Sequence, residues 1–392
     1  MKGMRPLALF LTALPLLAQN KLTPKEIADG WLMLFDGETT WGWTAEGAAK
    51  WRVENGILIS DEGEYGWLRS NAPFADYVLR ADYRQAADGN SGIFLRSKAI
   101  GQPHVTGYEL QIYEGHKDYP TGSLLNHGKA EKTTPKPNEW HTYEVTHTGK
   151  AFTIKLDGKR VLYGDDDKTL FGHIGLQHNT GKKIEFRNVY IKPLGLNPIF
   201  NGRDLAGWRK VERTPAVKEP PVWSVQKKML HVEKGPGQLE TEAVYRNFVL
   251  QIDVRANSKD PAKHPNSGIF FRGTPKGYWT GYEVQVRNEF KGDPTVPVDT
   301  GTGGLYFLQP ARRVVGRDNE FYTQTILANG RQISTWVNGY PVTDFLDKNP
   351  EGARGPRQKE ALLGEGPISL QAHDPTTNLD FRNIRAVALP SQ

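Results

Sequence analysis

The chain has 392 residues, with 41 Gly, 26 Pro, no Cys and 10% aromatics. Its length accommodates two or three domains, and its Gly and Pro content suits turn-rich β architecture better than a helical protein. Without Cys there is no disulfide scaffold, no Cys-ligated zinc or iron–sulfur site, no thiol nucleophile and no lipobox. A net charge of +6, with no basic run longer than two residues, argues against nucleic acid as the main partner.

Residues 1–19 read as a secretory signal peptide. Lys2 and Arg5 form a basic start, Leu7 to Leu17 an apolar stretch, and small Ala18 precedes polar Gln19 and Asn20. The apolar stretch is too short to span a bilayer, and no other segment approaches about 20 apolar residues. A periplasmic or secreted protein that does not span the membrane is therefore expected. Pro24 to Ala28 is the one convincing helical piece.

Beyond it the chain repeats itself. Asn90-Ser-Gly-Ile-Phe-Leu-Arg96 returns as Asn266-Ser-Gly-Ile-Phe-Phe-Arg272, and Gly107-Tyr-Glu-Leu-Gln-Ile112 as Gly281-Tyr-Glu-Val-Gln-Val286. Phe186-Arg-Asn-Val189 returns as Phe381-Arg-Asn-Ile384, and Leu34-Phe-Asp-Gly37…Trp43 as Ile199-Phe-Asn-Gly202…Trp208. The order of the blocks is kept, so the chain is a duplication, with units at 28–194 and 195–390 joined by Pro193-Leu-Gly-Leu-Asn-Pro198. Such a short linker predicts that the units pack together. Within each unit the apolar period is two: Tyr77 to Tyr83, Phe152 to Leu156 and Phe248 to Val254 read as half-buried strands. Asp157-Gly158 and Asn338-Gly339 are hairpin signals. The expected fold is all-β, a two-sheet sandwich or jelly roll in each unit.

In the strand Glu109-Leu-Gln-Ile-Tyr-Glu114, Glu109 and Gln111 share one face. That face is either a polar ligand site or simply solvated; Glu283 and Gln285 repeat both identities. The spacing departs from the paired carboxylates of retaining glucanases, because Gln111 stands where a middle carboxylate belongs. Arg96 and Arg272 either bind a sugar oxygen or pair with Glu109 and Glu283. Glu109, Glu114, His116 and His178 are candidates for an acid–base group or an oxygen/nitrogen metal site, although no His-x-His or HExxH spacing supports a metal. Trp43, Trp51, Trp208 and Trp223 recur pairwise and read as core, whereas unpaired Trp67 and Trp279 are suited to stacking on a sugar.

These blocks, together with Gly122-Ser-Leu124, Glu139-Trp-His141 and Ile174-Gly-Leu-Gln177, resemble the 3-keto-disaccharide hydrolase domain, a concanavalin-like jelly roll of exported bacterial proteins. The resemblance covers nearly the whole chain after the leader, in two tandem copies. It implies cleavage of glycosides already oxidised at C3, by hydrolysis or by C2-proton abstraction, β-elimination and hydration. It places Arg96, Glu109, Gln111, Glu114 and His116 in the first-unit site, with Gln177 and His178 at its rim. Glu114 or His116 is the implied base or acid, and Arg96 or a bound divalent cation the implied enolate stabiliser. Arg272, Glu283, Gln285, Gln371 and His373 are the second-unit counterparts for substrate binding. The family pattern Leu-Gln-x-His is kept as Leu370-Gln-Ala-His373, whereas His178 directly follows Gln177, which reverses its side of the strand. A non-catalytic carbohydrate-binding jelly roll is the alternative.

Overall fold

In a computed structural model the described residues are 19–213, 215, 217–348 and 364–390. The expected signal peptide, save Gln19, lies outside them. The protein is all-β: two tandem jelly-roll sandwiches, each with its own apolar core. The helix Pro24–Ala28 forms as expected, closed by a capping box in which Thr23 and Glu26 satisfy each other's backbone N–H groups. A helical turn at Pro103–Thr106 was not foreseen.

In the first unit the hairpin Trp43–Glu54 and Ile57–Ser70 is long enough to run through both layers. The start of Ile57–Ser70 pairs with Ile184–Pro193, and its end with His173–His178, so the two layers form one 11-stranded sheet curled on itself. The bend falls at the register shift between Gly47 (φ 82°), which is opposite Gly66, and Ala49, which is opposite Gly63 (φ 91°). A Cβ on Gly63 would sit 2.2 Å from the Ala48 carbonyl oxygen, so only glycine lets the backbones cross this closely. The second unit has the same plan with the corner broken. Trp208–Glu212 and Gly237–Tyr245 belong to a five-stranded sheet, and Val222–Gln226 and Met229–Glu233 to an eight-stranded one.

Both hairpin signals become tight turns: Asp157 and Gly158, like Asn338 and Gly339, have positive φ at both central positions. Trp43, Trp208 and Trp223 are buried core residues, and Trp51 packs against the first core half-buried.

The units pack together through the outer face of the larger second-unit sheet. Val249, Leu327 and Trp336 point away from their own core and join that of the first unit. Phe248–Ala256 is therefore buried on both faces over its first half, instead of half-buried as its alternation predicts. Polar contacts fix the docking. The Trp336 indole N–H donates to the Met33 carbonyl (3.0 Å), Gln251 donates to the Gly30 carbonyl (3.0 Å), and Arg312 pairs with buried Asp36. Trp336→Ala is expected to cost about 3–5 kcal/mol. Calorimetry checks this: the variant should melt in two separated transitions where the intact protein melts as one unit.

Candidate functional site

The smaller layer of the first unit consists of Tyr108–Ile112, Ser91–Ser97, His173–His178 and the paired ends of the long hairpin. Strand alternation sends Tyr108, Leu110 and Ile112 into the core and leaves Glu109 and Gln111 on the opposite face. Register then fixes what lies beside them. Gln111 is opposite Gly92, and Glu109 is opposite Phe94; on the next strands Gln177 is opposite Trp67, and Gly175 is opposite Arg69. The result is a polar trough floored by Trp67 and Phe94, which meet edge to face at 5.5 Å. Gly92 and Gly175 keep it open: a Cβ would meet the Glu109 carboxylate at 3.0 Å and the Trp67 ring at 2.3 Å, respectively.

Glu109 is 6% exposed, and its Oε1 accepts a 3.0 Å hydrogen bond from Gln177 Nε2. Burial without a cation beside it pushes its pKa up to about 7, opposed only by that amide. The Gln111 Oε1 is buried with no hydrogen-bond partner among the described residues. Half-buried Tyr65 lies on the same face; its hydroxyl engages Gln177 and feels the Glu109 charge, and burial raises its pKa.

Several expected site residues lie elsewhere. Arg96 does not reach Glu109. It adopts φ 53°, which breaks the strand alternation, and its guanidinium, 1% exposed, is spent on structure. It donates to the carbonyls of Ala75 (2.9 Å), Gly149 (2.7 Å) and Thr169 (3.3 Å) and to Asp76 (3.0 Å). Arg272 repeats this with φ 55°, donating to the carbonyls of Arg246 and Gly330 and to the Asn247 side chain. Glu114 is exposed on the loop beyond the strand, and the nearby phenols that feel its charge are Tyr83 and Tyr143, outside the trough. His116 uses Nδ1 to accept from the backbone of Asp118 and Tyr119, which caps its own loop. His178 is fully buried on the other side of its strand, against the Gly63 carbonyl, as its position directly after Gln177 implies. Glu109, Glu114, His116 and His178 thus do not converge. Among the described residues no group of three or more His, Asp or Glu side chains could hold a metal ion. The described side chains on this face therefore do not make a donor set that fits a divalent cation.

The second unit carries the equivalent trough with different furniture. Glu283, opposite Phe270, is 2% exposed, and burial pushes its pKa to about 8. Gln285, opposite Gly268, donates to Asn266. Asn266 Nδ2 lies 3.1 Å from His373 Nε2, and His373 Nδ1 lies 2.8 Å from Asp374. Gln371 stands beside Gly268 on the neighbouring strand. The Oε1 atoms of Gln285 and Gln371 are buried and have no hydrogen-bond partner among the described residues. Trp279, half-buried at φ 62°, folds over this face and donates its indole N–H to Glu283 (3.3 Å). The Gln238 side-chain oxygen in turn accepts from the Trp279 backbone N–H (2.8 Å).

Tyr65, Phe94 and Asn266 are members of these faces beyond those expected from the sequence. Tyr65 was detectable, since it sits two residues from Trp67 on one strand and so shares its face. Asn179, two residues after Gln177, occupies the place that His373 takes after Gln371.

A family model, the 3-keto-alpha-glucoside-1,2-lyase-like domain, matches residues 30–192 and again 195–386. A curated Bacteroides thetaiotaomicron protein named 3-keto-disaccharide hydrolase is 27% identical over 118 residues, covering 26% of this chain and 41% of that protein. The match thus spans less than half of the relative's length. Among solved structures, a candidate glycosyl hydrolase from Parabacteroides distasonis aligns at 22% identity with a TM-score of 0.41, covering 45% of this chain and 99% of the other. A carbohydrate-binding module from Bacillus subtilis aligns at 19% identity with a TM-score of 0.32, covering 38% and 95%. With both segments of the family model filled, the chain belongs to the 3-keto-alpha-glucoside-1,2-lyase-like family, as a tandem pair.

Proposed function

We propose that this is an exported enzyme that cleaves 3-keto-glycosides, and that the first-unit trough performs the bond-breaking step. The observation that carries the reading is Glu109: a buried carboxyl with a pKa near neutrality, on a face floored by aromatic rings and lined by amides. A ketone at C3 acidifies the C2 hydrogen. Glu109 takes that proton, the electron pair moves through the enolate, and the C1–O bond breaks to release the aglycone and a 1,2-unsaturated 3-keto sugar. Amide N–H groups of Gln111 and Gln177 steady the enolate oxygen, the role that buried Arg96 does not fill. Tyr65 supplies the O–H that protonates the departing oxygen. Trp67, backed by buried Phe94, packs against the sugar ring. The basic and apolar start of the chain, Lys2 to Leu17, supports export.

Incubation of the purified full chain with an aryl 3-keto-glucoside tests this reading, with enone absorbance and released phenol followed together. Sugar binding without any turnover would leave a carbohydrate-binding protein instead. The pH dependence has a definite sign. Glu109 must be ionised to act as a base, so kcat/KM rises with pH, reaches half its plateau near pH 7 and falls about tenfold per unit below it. A profile flat from pH 5 to 9 would remove Glu109 from the role.

A further inference from the structure

We propose that a pocket at one end of the second sandwich is a subsite for an acidic sugar, a uronate unit whose carboxylate pairs with Lys259 and whose hydroxyl donates to His264. It stands apart from the elimination assigned to Glu109, because it uses none of that trough's residues.

The pocket, about 430 Å³, lies where two connections cross between the larger and the smaller layer of the second unit. One, residues 257–265, leads from Phe248–Ala256 to Asn266 and Ser267–Phe271; the other, residues 373–377, leads from Gly366–Ala372 to Asn378–Ala388. Both walls therefore continue directly from Asn266 and His373, which line the second trough. A glycan lying on that trough runs on into the pocket, which has room for a sugar ring.

The first unit is built differently at this end. Its connection is four residues, 86–89, against nine in the second, and Asp88 on it pairs with Lys182 of the facing turn at 2.8 Å. In the second unit the longer connection brings Lys259, Lys263 and His264 to the pocket instead. Both walls are fixed by their own polar contacts. The Ser258 hydroxyl lies 2.6 Å from the carbonyls of Asp260 and of Lys263, and the Asp260 carboxylate accepts from the Ala262 N–H at 3.0 Å. Across the pocket Asp374 accepts from the Thr376 N–H (2.7 Å) and hydroxyl (2.6 Å), besides its contact with His373.

Charge selects the ligand. The lining carries Lys234, Lys259, Lys263 and His264 against Glu233 and Asp260. Lys234 is paired with Glu219 (3.1 Å), Lys263 lies 3.7 Å from Asp260, and Glu233 accepts from Asn378 (3.3 Å). Lys259 has no ion-pair partner among the described residues, so the uncompensated charge in the pocket is a cation, which favours an anionic oxygen.

His264 adds a second demand. Its Nδ1 lies 2.6 Å from Asp318, a carboxylate that also accepts from Asn288 (2.9 Å). With Nδ1–H donating to Asp318, Nε2 is left as an acceptor, and it has no hydrogen-bond partner among the described residues. An acceptor of this kind takes a hydroxyl. Pro265 and Pro375 offer apolar walls to the C–H edges of a ring. A carboxylate and hydroxyls on one ring meet both demands; a neutral hexose meets one, and an inorganic anion the other.

Calorimetric titration of the full chain with methyl glucuronide, methyl glucoside and inorganic sulfate tests this. The glucuronide should bind about fivefold tighter than the glucoside at low ionic strength, a margin that shrinks in physiological salt. Lys259→Gln should abolish the margin, and His264→Leu should weaken glucuronide binding about fivefold. Thermal melts establish that both variants are folded. Equal affinity for glucuronide and glucoside overturns the proposal, as does glucuronide binding that neither variant changes. Sulfate binding as tight as the glucuronide overturns the assignment to a sugar acid. Phenol release from an aryl 3-keto-glucoside is read in parallel. If phenol is not released while the Lys259-dependent margin holds, the elimination reading fails and the subsite stands; phenol release without any margin gives the reverse.

Discussion

Glu109→Gln should lower the rate of phenol release from an aryl 3-keto-glucoside by about 10²–10⁴-fold while leaving the protein folded. The substitution is nearly isosteric, and the hydrogen bond from Gln177 can be kept by the new amide oxygen. What disappears is the group able to take a proton. The variant should also lose the pH dependence near 7, because the carboxyl raised there on this face is gone. Binding of a 3-keto-glucoside, read by calorimetry, should persist within about tenfold, since Trp67, Phe94, Gln111 and Gln177 remain. Undiminished turnover would mean that the trough binds sugar and the chemistry lies elsewhere.

The second large effect falls on stability. Arg96→Met should cost about 3–5 kcal/mol, because removal of a fully buried guanidinium leaves the carbonyls of Ala75, Gly149 and Thr169 without this donor and Asp76 without its counter-charge, held only by the Gly149 N–H. Those partners belong to three separate loops, so one side chain holds that end of the sandwich closed. A fall in the melting temperature with the pH profile of the remaining activity unmoved is the expected signature. A shift in that profile would instead tie Arg96 to the chemistry. Arg272 has Asn247 where Arg96 has Asp76, and burial without a carboxylate lowers its pKa to about 10. Asn247→Asp supplies the missing counter-charge and should raise the stability of the second unit.

Much of this was legible in the chain. The period of two and the Asp-Gly and Asn-Gly turns specify strands and hairpins through local chemistry alone, and recurrence of whole blocks exposes the duplication. Glu109, Gln111 and Gln177 were within reach because strand alternation is a strict geometric rule. His178 was readable by the same rule. Arg96 was not: alternation places it beside Glu109, and only its left-handed backbone, a tertiary choice, takes it away. Glu114 and His116 failed for a related reason, since beyond Ile112 the strand ends and its rule lapses. The double burial of Phe248–Ala256 depends on a neighbour that no local pattern records. The relation of His373 to Asn266 and Gln285 joins segments about a hundred residues apart, and register, not spacing, creates it.

The shared boundary bears on how such a pair can change over generations. With Val249, Leu327 and Trp336 apolar on an outer sheet face, the second copy cannot be separated from the first without exposing a greasy stripe to water. Gene fission then carries an immediate penalty in aggregation, while drift at each trough carries none of that kind. Fusion works as a ratchet: it holds two copies together for structural reasons, and so gives their faces time to diverge in chemistry.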